Sequence, residues 1–299
     1  MALPEPLVEN APAKVNLTLR VLGRRPDGYH EIESLVVFAD FGDRLSFSPG
    51  GALALMLSGP SAAQAGEGAD NLVLKAARAL AARIPDISLG AFHLEKLLPV
   101  AAGIGGGSAD AAAALRLLAR ANGLSGNDPR LFEAARATGA DVPVCLDPHT
   151  RIMRGIGENL SAPLALPPLP AVLVNPRAAL ATKDVFARWT PASTPSLAFD
   201  LAAVAKAMTC DERLQCLKAQ SNDLETPAIA LAPVIAEALA ALRALAGCRL
   251  ARMSGSGSTC FALFDSPSAA TAAANALSNK CPQWWVRATA LGSIIPLGA

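Results

Sequence analysis

No two cysteines of this chain stand in a Cys-x-x-Cys spacing, and its three histidines (His30, His93, His149) are far apart, so no zinc-site pattern is present. The six cysteines, at 145, 210, 216, 248, 260 and 281, read as scattered reduced thiols. No run of 18 apolar residues exists; the most apolar region, 227–248, is interrupted by Pro233, Glu237 and Arg243, which excludes a helical membrane span. The opening MALPEPLVEN has no basic segment followed by an apolar one, so a cytoplasmic protein without membrane attachment is expected. A formal net charge of only +1 argues against a general nucleic-acid binder. No Gly-Lys pair occurs, which removes the P-loop as a way of holding nucleotide phosphates. Aromatic side chains make up 4% of the chain, and Tyr29 is the only tyrosine.

What is present is mostly small and apolar. Hydrophobic residues reach 52%, and much of that is alanine, a helix former and packing residue rather than a lipid-facing one. A chain of 299 residues has room for one large or two ordinary domains. Its first third reads as β-rich. Residues 13–22 alternate strictly, with Lys14, Asn16, Thr18 and Arg20 on one face and Val15, Leu17, Leu19 and Val21 on the other, the pattern of a half-buried strand. Thr18 and Arg20 are read as surface residues. Further strands are expected at 31–39, 44–47 and 53–57, joined by short connections that suit antiparallel hairpins.

Asp70-Asn71 then caps a helix running to about residue 83, with Leu72, Ala76, Ala79 and Leu80 on one face. A strand follows at 92–98, then helices at 108–121 and 129–138. Clustered prolines in 163–170 mark a boundary, because they discourage both helix and central strand. Beyond it, strands at 171–174, 249–253, 260–264 and 286–291 alternate with alanine-rich helical segments. The pattern predicts an α+β protein of two domains, 1–162 and 163–299, meeting at a cleft.

The strongest chemical signal is Leu98-Pro-Val-Ala-Ala-Gly-Ile-Gly-Gly-Gly-Ser-Ala-Asp110. Four glycines, at 103, 105, 106 and 107, strip side chains from a short span, so that backbone N–H groups can converge on an anion. A helix starting near Ser108 adds its unpaired N–H groups and the positive end of its dipole. That combination favours phosphate, with Ser108 placed to bond a phosphate oxygen or to enter a magnesium's coordination sphere, and Asp110 to stabilise the helix start. The alternative is a glycine-rich turn that merely lets a helix pack closely. A second loop, Met253-Ser-Gly-Ser-Gly-Ser-Thr259, is an ordinary turn when taken alone but can close on the same phosphates from the opposite wall. In Gly139-Ala-Asp-Val-Pro143, the proline biases Val142 away from helix, so Asp141 is expected where a helix yields to extended chain. A turn residue is the alternative there, as a solvated strand lysine is for Lys14 and a packing pair is for Tyr29 and His30.

These segments, in this order, resemble the GHMP small-molecule kinase superfamily. The resemblance rests on Ala11-Pro-Ala-Lys-Val-Asn-Leu17, Arg25-Pro-Asp-Gly-Tyr-His-Glu31, the 98–110 glycine loop, Gly139-Ala-Asp-Val-Pro143 and Ser254-Gly-Ser-Gly-Ser258, and covers nearly the whole chain. The Arg-Pro-Asp-Gly-Tyr-His segment narrows it to the branch whose substrate is a cytidine diphosphate derivative; superfamily kinases for mevalonate, homoserine or a sugar are the neighbouring alternatives. The resemblance implies a two-domain fold with the active site between the domains. It makes Asp141 the base that takes the proton of the attacking hydroxyl, with Lys14 beside it to stabilise charge on the transferring phosphoryl group. It places ATP on Pro99, Val100, Ala101, Ala102, Gly103, Ile104, Gly105, Gly106, Gly107, Ser108 and Ala109, with Lys96 near the base or phosphates and Asn71 where the chain skirts the adenine pocket. Asn16, Tyr29, His30, Thr182 and Phe186 are implied to meet the substrate, and Asn222-Asp-Leu-Glu225 to be structural. No cluster of acids suggests a protein-built metal site, so magnesium is expected to arrive with ATP, held by phosphates and water. A monomer or weak homodimer is expected. The segment after Val144 (Cys-Leu-Asp-Pro-His-Thr-Arg) and the alanine-rich second domain depart from the family pattern.

Overall fold

The computed structural model describes residues 5–66, 68, 70–191 and 210–294. Its strands are β1 (Leu7–Asn16), β2 (Arg20–Arg24), β3 (His30–Pro49), β4 (Ala54–Ser58), β5 (Gly90–Glu95), β6 (Arg151–Gly155), β7 (Asn159–Leu160), β8 (Leu169–Asn175), β9 (Leu250–Met253), β10 (Cys260–Leu263) and β11 (Trp285–Gly292). The helices among the described residues are α1 (Ala62–Ala65), α2 (Leu72–Ala81), α3 (Gly106–Ala121), α4 (Pro129–Thr138), α5 (Val142–Leu146), α6 (Thr182–Ala187), α7 (Cys210–Lys218), α8 (Glu225–Leu231), α9 (Val234–Arg243) and α10 (Pro267–Lys280). The strands join in one sheet whose main path runs β4-β5-β3-β11-β8-β10-β9, with β1, β2 and β6 also paired to β3. The fold is α+β.

Strand β3 is the spine of this arrangement. The sequence predicts two strands there, separated by Asp40-Phe-Gly-Asp43, but the chain passes through without turning. Gly42 is used for close approach instead: a Cβ on it would lie 2.1 Å from the Ala11 carbonyl oxygen. Strand β4 also departs from expectation. It pairs with β5 in parallel rather than as part of a hairpin meander, because the chain between them crosses over through α2.

The opening alternation predicts a half-buried strand with Thr18 and Arg20 at the surface, and the structure buries the polar face as well. β1 ends at Asn16, and Lys14, Asn16 and Thr18 are all buried. Thr18 is therefore no surface residue: its Oγ1 accepts the Leu35 N–H at 3.1 Å and its carbonyl accepts the Ser34 hydroxyl at 2.6 Å. Arg20 also turns inward, pairing with Glu33 at 3.4 Å. The apolar face, Val15 and Leu17, packs with Leu35, Val37, Leu98 and Ile104 in a core on one side of the sheet, while α2 to α5 build a second core on the other.

Helix α2 starts as read from the sequence, with Asn71 Oδ1 accepting the Val73 N–H at 3.0 Å. Its buried stripe is Val73, Leu74, Ala76, Ala77 and Leu80, rotated slightly from the expected one because α3 and α4 pack on either side of it. Helix α4 matches its prediction, and α3 begins two residues early, at Gly106. Pro143 does not end a helix. It sits in the first turn of α5, where a missing N–H costs nothing, and this puts Asp141 at the helix start.

Replacing Gly42 by alanine should cost on the order of 2 kcal/mol or more, since backbone on both strands must part. An unchanged denaturation midpoint in Gly42→Ala would show that β1 is not pinned at that crossing.

Candidate active site

The loop from Pro99 to Gly105 carries the chain from β5 into α3, and two positive-φ glycines shape it, Gly103 at +73° and Gly105 at +63°. The loop is pinned on both sides. Lys14 on β1 donates its N–H to the Ile104 carbonyl at 2.9 Å, and Thr259 donates its N–H to the Ala102 carbonyl at 3.0 Å. The second glycine loop lies directly against the first: a Cβ on Gly103 would stand 2.3 Å from the Gly257 carbonyl oxygen. Ser254 Oγ stitches the junction, accepting the Asn16 N–H at 3.0 Å and donating to the Gly103 carbonyl at 3.2 Å. Bare backbone on bare backbone is possible only because neither loop carries side chains at the contact.

These loops form the wall of a cleft of about 2260 Å³. Pro99 to Gly103 and Gly105 to Ser108 border it, as do Gly255, Ser256 and Gly257. Ile104 and Ala109 do not: both side chains are buried in the core, and only their backbone belongs to the loop. Ser254 and Ser258 are likewise enclosed, with Ser258 Oγ donating to the Ala178 carbonyl at 2.7 Å.

On the floor of the cleft, Lys14 Nζ lies 2.9 Å from Asp141 Oδ2. The lysine side chain is 5% exposed and the aspartate 36%, so the carboxylate is the member that a ligand can reach. Beside them Asn16 donates Nδ2 to Ser34 Oγ at 2.6 Å, while its buried Oδ1 has no partner. An orphan acceptor on a cleft wall asks for a donor from a ligand.

At another part of the wall, His30 stacks on Phe186 with ring centroids 4.9 Å apart and meets Trp189 edge-on at 5.8 Å. Tyr29 lines the same cleft and is 60% exposed. Thr182 Oγ1 shares a hydrogen bond with Ser256 Oγ at 3.0 Å, which ties α6 to the second glycine loop. Burial, and then the charge of Arg24, hold the His30 imidazole below its usual range. Cys145, beside the ion pair, is inert: burial first and the Asp141 charge second push its thiol up to about 12.

Two expected nucleotide contacts, Lys96 and Asn71, border the cleft with their side chains bonded to other parts of the protein. Lys96 borders the cleft, but its ammonium is clamped between Asp43 Oδ2 at 2.5 Å and Asp110 Oδ2 at 2.7 Å rather than extended toward a base. Asp110 thereby accepts a hydrogen bond from Lys96 and is not a simple helix-terminus residue. Asn71 borders the cleft while its side chain caps α2 and donates to the Gly66 carbonyl at 3.0 Å. The structural reading of Asn222 to Glu225 agrees with the geometry. Asn222 Nδ2 holds the Met253 and Gly255 carbonyls at 2.9 and 2.8 Å, and Glu225 accepts the Met253 N–H at 2.9 Å.

Sequence reasoning missed Asp43, Ser34, Trp189 and Arg252. Arg252 is buried and donates to the Leu17 carbonyl at 2.7 Å and the Leu217 carbonyl at 3.0 Å, joining β9 to the end of β1. No local pattern marks these residues, since every partner is distant in sequence. The five cysteines whose side chains are described are free, and that of Cys210 lies outside the described residues. Among the described residues, no cluster of His, Cys, Asp or Glu could hold a metal ion, and no helix is long and apolar enough to cross a membrane.

Two family models match the chain, the GHMP kinases N terminal domain over residues 71–147 and GHMP kinases C terminal over residues 197–283. The chain belongs to the GHMP kinases, a family of small-molecule kinases. Within that family it is similar to the 4-diphosphocytidyl-2-C-methyl-D-erythritol kinase of Rhodopseudomonas palustris, with 59% identity over 95% of this chain and 97% of that protein. The enzyme of the same name from Nitrobacter winogradskyi is 56% identical over 96% of this chain and 94% of its own. A crystal structure of 4-(cytidine 5'-diphospho)-2C-methyl-D-erythritol kinase matches with a TM-score of 0.80 at 36% identity, covering 96% of this chain and all of that one. A homoserine kinase from Cytophaga hutchinsonii, at 18% identity and a TM-score of 0.73 over 99% of this chain and 98% of its own, shares the fold.

Because burial and Arg24 both disfavour the imidazolium, His30 should titrate below the ordinary histidine midpoint and be neutral at pH 7. Below about pH 6.5 the unfolded chain takes up this proton first, so His30 makes stability fall with falling pH. Arg24→Ala should raise the His30 midpoint in an NMR titration; an unmoved midpoint would exclude that guanidinium as a cause.

Proposed function

We propose that this protein transfers the terminal phosphoryl group of ATP to the 2-hydroxyl of 4-diphosphocytidyl-2-C-methyl-D-erythritol, giving the 2-phosphate and ADP, in cytoplasmic non-mevalonate isoprenoid precursor synthesis. The observation that carries this reading is the Lys14–Asp141 pair at 2.9 Å, opening into the same cleft as the glycine loops and the His30–Phe186 stack. The high-identity relatives supply the substrate, and the geometry is consistent with it at each end of the cleft.

Phosphoryl transfer relies mainly on alignment and charge stabilisation. The glycine loop and the α3 N-terminus offer backbone N–H groups to the phosphates of ATP, with Ser108 in the first turn. Magnesium, carried by the nucleotide through its phosphates and water, supplies charge neutralisation there. Asp141 accepts the proton of the attacking hydroxyl, and Lys14 orients that carboxylate through its hydrogen bond while offering positive charge to the transferring group. Asn16 Oδ1, buried without a partner, accepts a hydrogen bond from the substrate. Tyr29, His30 and Phe186 receive the cytosine by stacking and edge hydrogen bonds, and Thr182 borders the same subsite. The chain works as two halves, 1–162 and 163–299. The first carries Lys14, Asp141 and the phosphate loop; the second brings Thr182, Phe186 and the loop that backs it.

With purified protein, Mg-ATP and the cytidine substrate, ADP should form; none would refute the substrate assignment. Asp141→Asn should lower kcat by roughly 10²–10⁴-fold while both substrates still bind by calorimetry. Near-normal turnover would remove Asp141 from the base role. Tyr29→Ala should raise KM for the cytidine substrate by roughly tenfold, since stacking on a base is worth about 1–3 kcal/mol, and leave KM for ATP in place.

A further inference from the structure

Beneath the first glycine loop lies a charge cluster that the transfer step described above does not use. Asp43 of β3, Lys96 just past β5 and Asp110 of α3 have side chains only 0%, 4% and 4% exposed. Lys96 Nζ donates to Asp43 Oδ2 at 2.5 Å and to Asp110 Oδ2 at 2.7 Å. A Cβ on Gly106 would stand 3.6 Å from Lys96 Nζ and 3.7 Å from Asp43 Oδ2, so the cluster lies directly under the loop's amides.

One ammonium set against two carboxylates leaves a net negative charge, buried, below a loop built to hold anions. Such a charge is costly to desolvate and repels a phosphate above it. Two carboxyls that share one buried site relieve the conflict when one keeps its proton. The hydrogen bonding identifies which. Asp43 accepts from three donors, the Leu97 and Leu98 N–H groups on Oδ1 at 2.6 and 2.8 Å and Lys96 on Oδ2. Asp110 receives only Lys96, and its buried Oδ1 has no partner. We propose that Asp110 stands as a neutral carboxylic acid at neutral pH, a positioning residue that fastens the start of α3 to the sheet without placing net charge beneath the phosphate loop.

The electrostatics agree. Burial raises Asp110 well above the ordinary carboxylate range, Lys96 opposes that, and Asp43 adds to it. For Lys96 burial works against the ammonium, but the two acids outweigh it and hold it above its usual range. The other titratable groups on elements packed against α3 do not supply a compensating charge. Lys14 of β1 is engaged by Asp141 ahead of α5, and the Cys145 thiol of α5 is neutral. Glu9 of β1 pairs with Arg116 and Arg120 farther along α3. Lys75 of α2 pairs with Asp70, while Arg130 and Glu133 of α4 pair with Asp128 and Arg83.

The proton itself is tested in the nucleotide-free enzyme, labelled with carboxyl-¹³C aspartate. A neutral-acid resonance should be present at neutral pH, vanish in Asp110→Asn, and move to the carboxylate position in Asp43→Asn. A wild-type spectrum containing only carboxylate resonances overturns the proposal, whether or not the variants fold. The consequence for the loop rests on the ATP reading given above and is tested separately. KM for ATP in the wild type should rise with pH as the acid resonance is lost, and Asp110→Asn should lack that rise. At neutral pH, Asp110→Asn should keep KM for ATP at least tenfold below that of Asp110→Ala; equal impairment of the two variants would mean that Asp110 acts as a charge. An intact acid resonance in an enzyme that does not bind ATP would sink the functional reading and spare the proton.

Discussion

The ion pair between Lys14 and Asp141 joins residues 127 positions apart, and the rest of the cleft is arranged around it. Neither side chain can reach the other from its own element alone. Lys14 is fixed because β1 is zipped to β3 along most of its length, with a register shift between Pro12 and Lys14. Asp141 is fixed because α5 begins at Val142 and packs on α3 and α4. The first glycine loop is tied to this pair, since the Lys14 backbone holds the Ile104 carbonyl. The Lys14–Asp141 pair and the first glycine loop are thus one connected unit, and disturbing any member displaces the others. Such preorganisation suits a reaction whose barrier is lowered by alignment.

Absent side chains do as much as present ones. The two glycine loops lie back to back, with distances that leave no volume for a methyl group at Gly103. Ser254, Asn222 and Arg252 take up the carbonyls that this contact and the end of β1 would otherwise leave unpaired. The Ser254 and Arg252 hydrogen bonds run between the first and second halves of the chain, and the sheet passes from one half to the other through the β3–β11 pairing. The halves therefore share a backbone framework as well as a cleft.

Charge is sparse in this sequence and concentrated where it matters. A chain with 17% charged residues places Lys14, Asp141, Asp43, Lys96 and Asp110 around a single loop. Burying that many ionisable groups is expensive unless each is paired or neutralised. The cost is met by direct ion pairs on the floor of the cleft and, in the proposal made here, by a retained proton under the loop. Stability lost in this way is exchanged for a site whose ionisable side chains are already held in place.

Local pattern was enough for much of this molecule. The glycine run announced a loop ahead of α3, Asn71 announced the start of α2, and short strand-like segments located β8, β9, β10 and β11 within a residue or two. Those features depend on periodicity, capping and backbone sterics, which neighbouring residues set among themselves. Long-range partners were a different matter. The sequence could not tell that Gly42 marks a strand crossing rather than a turn, that Pro143 opens a helix, that Thr18 is buried, or that Lys96 is held by Asp43 and Asp110. Each of those outcomes depends on which remote segment arrives alongside, and burial, charge pairing and close approach acquire their energies only once it has.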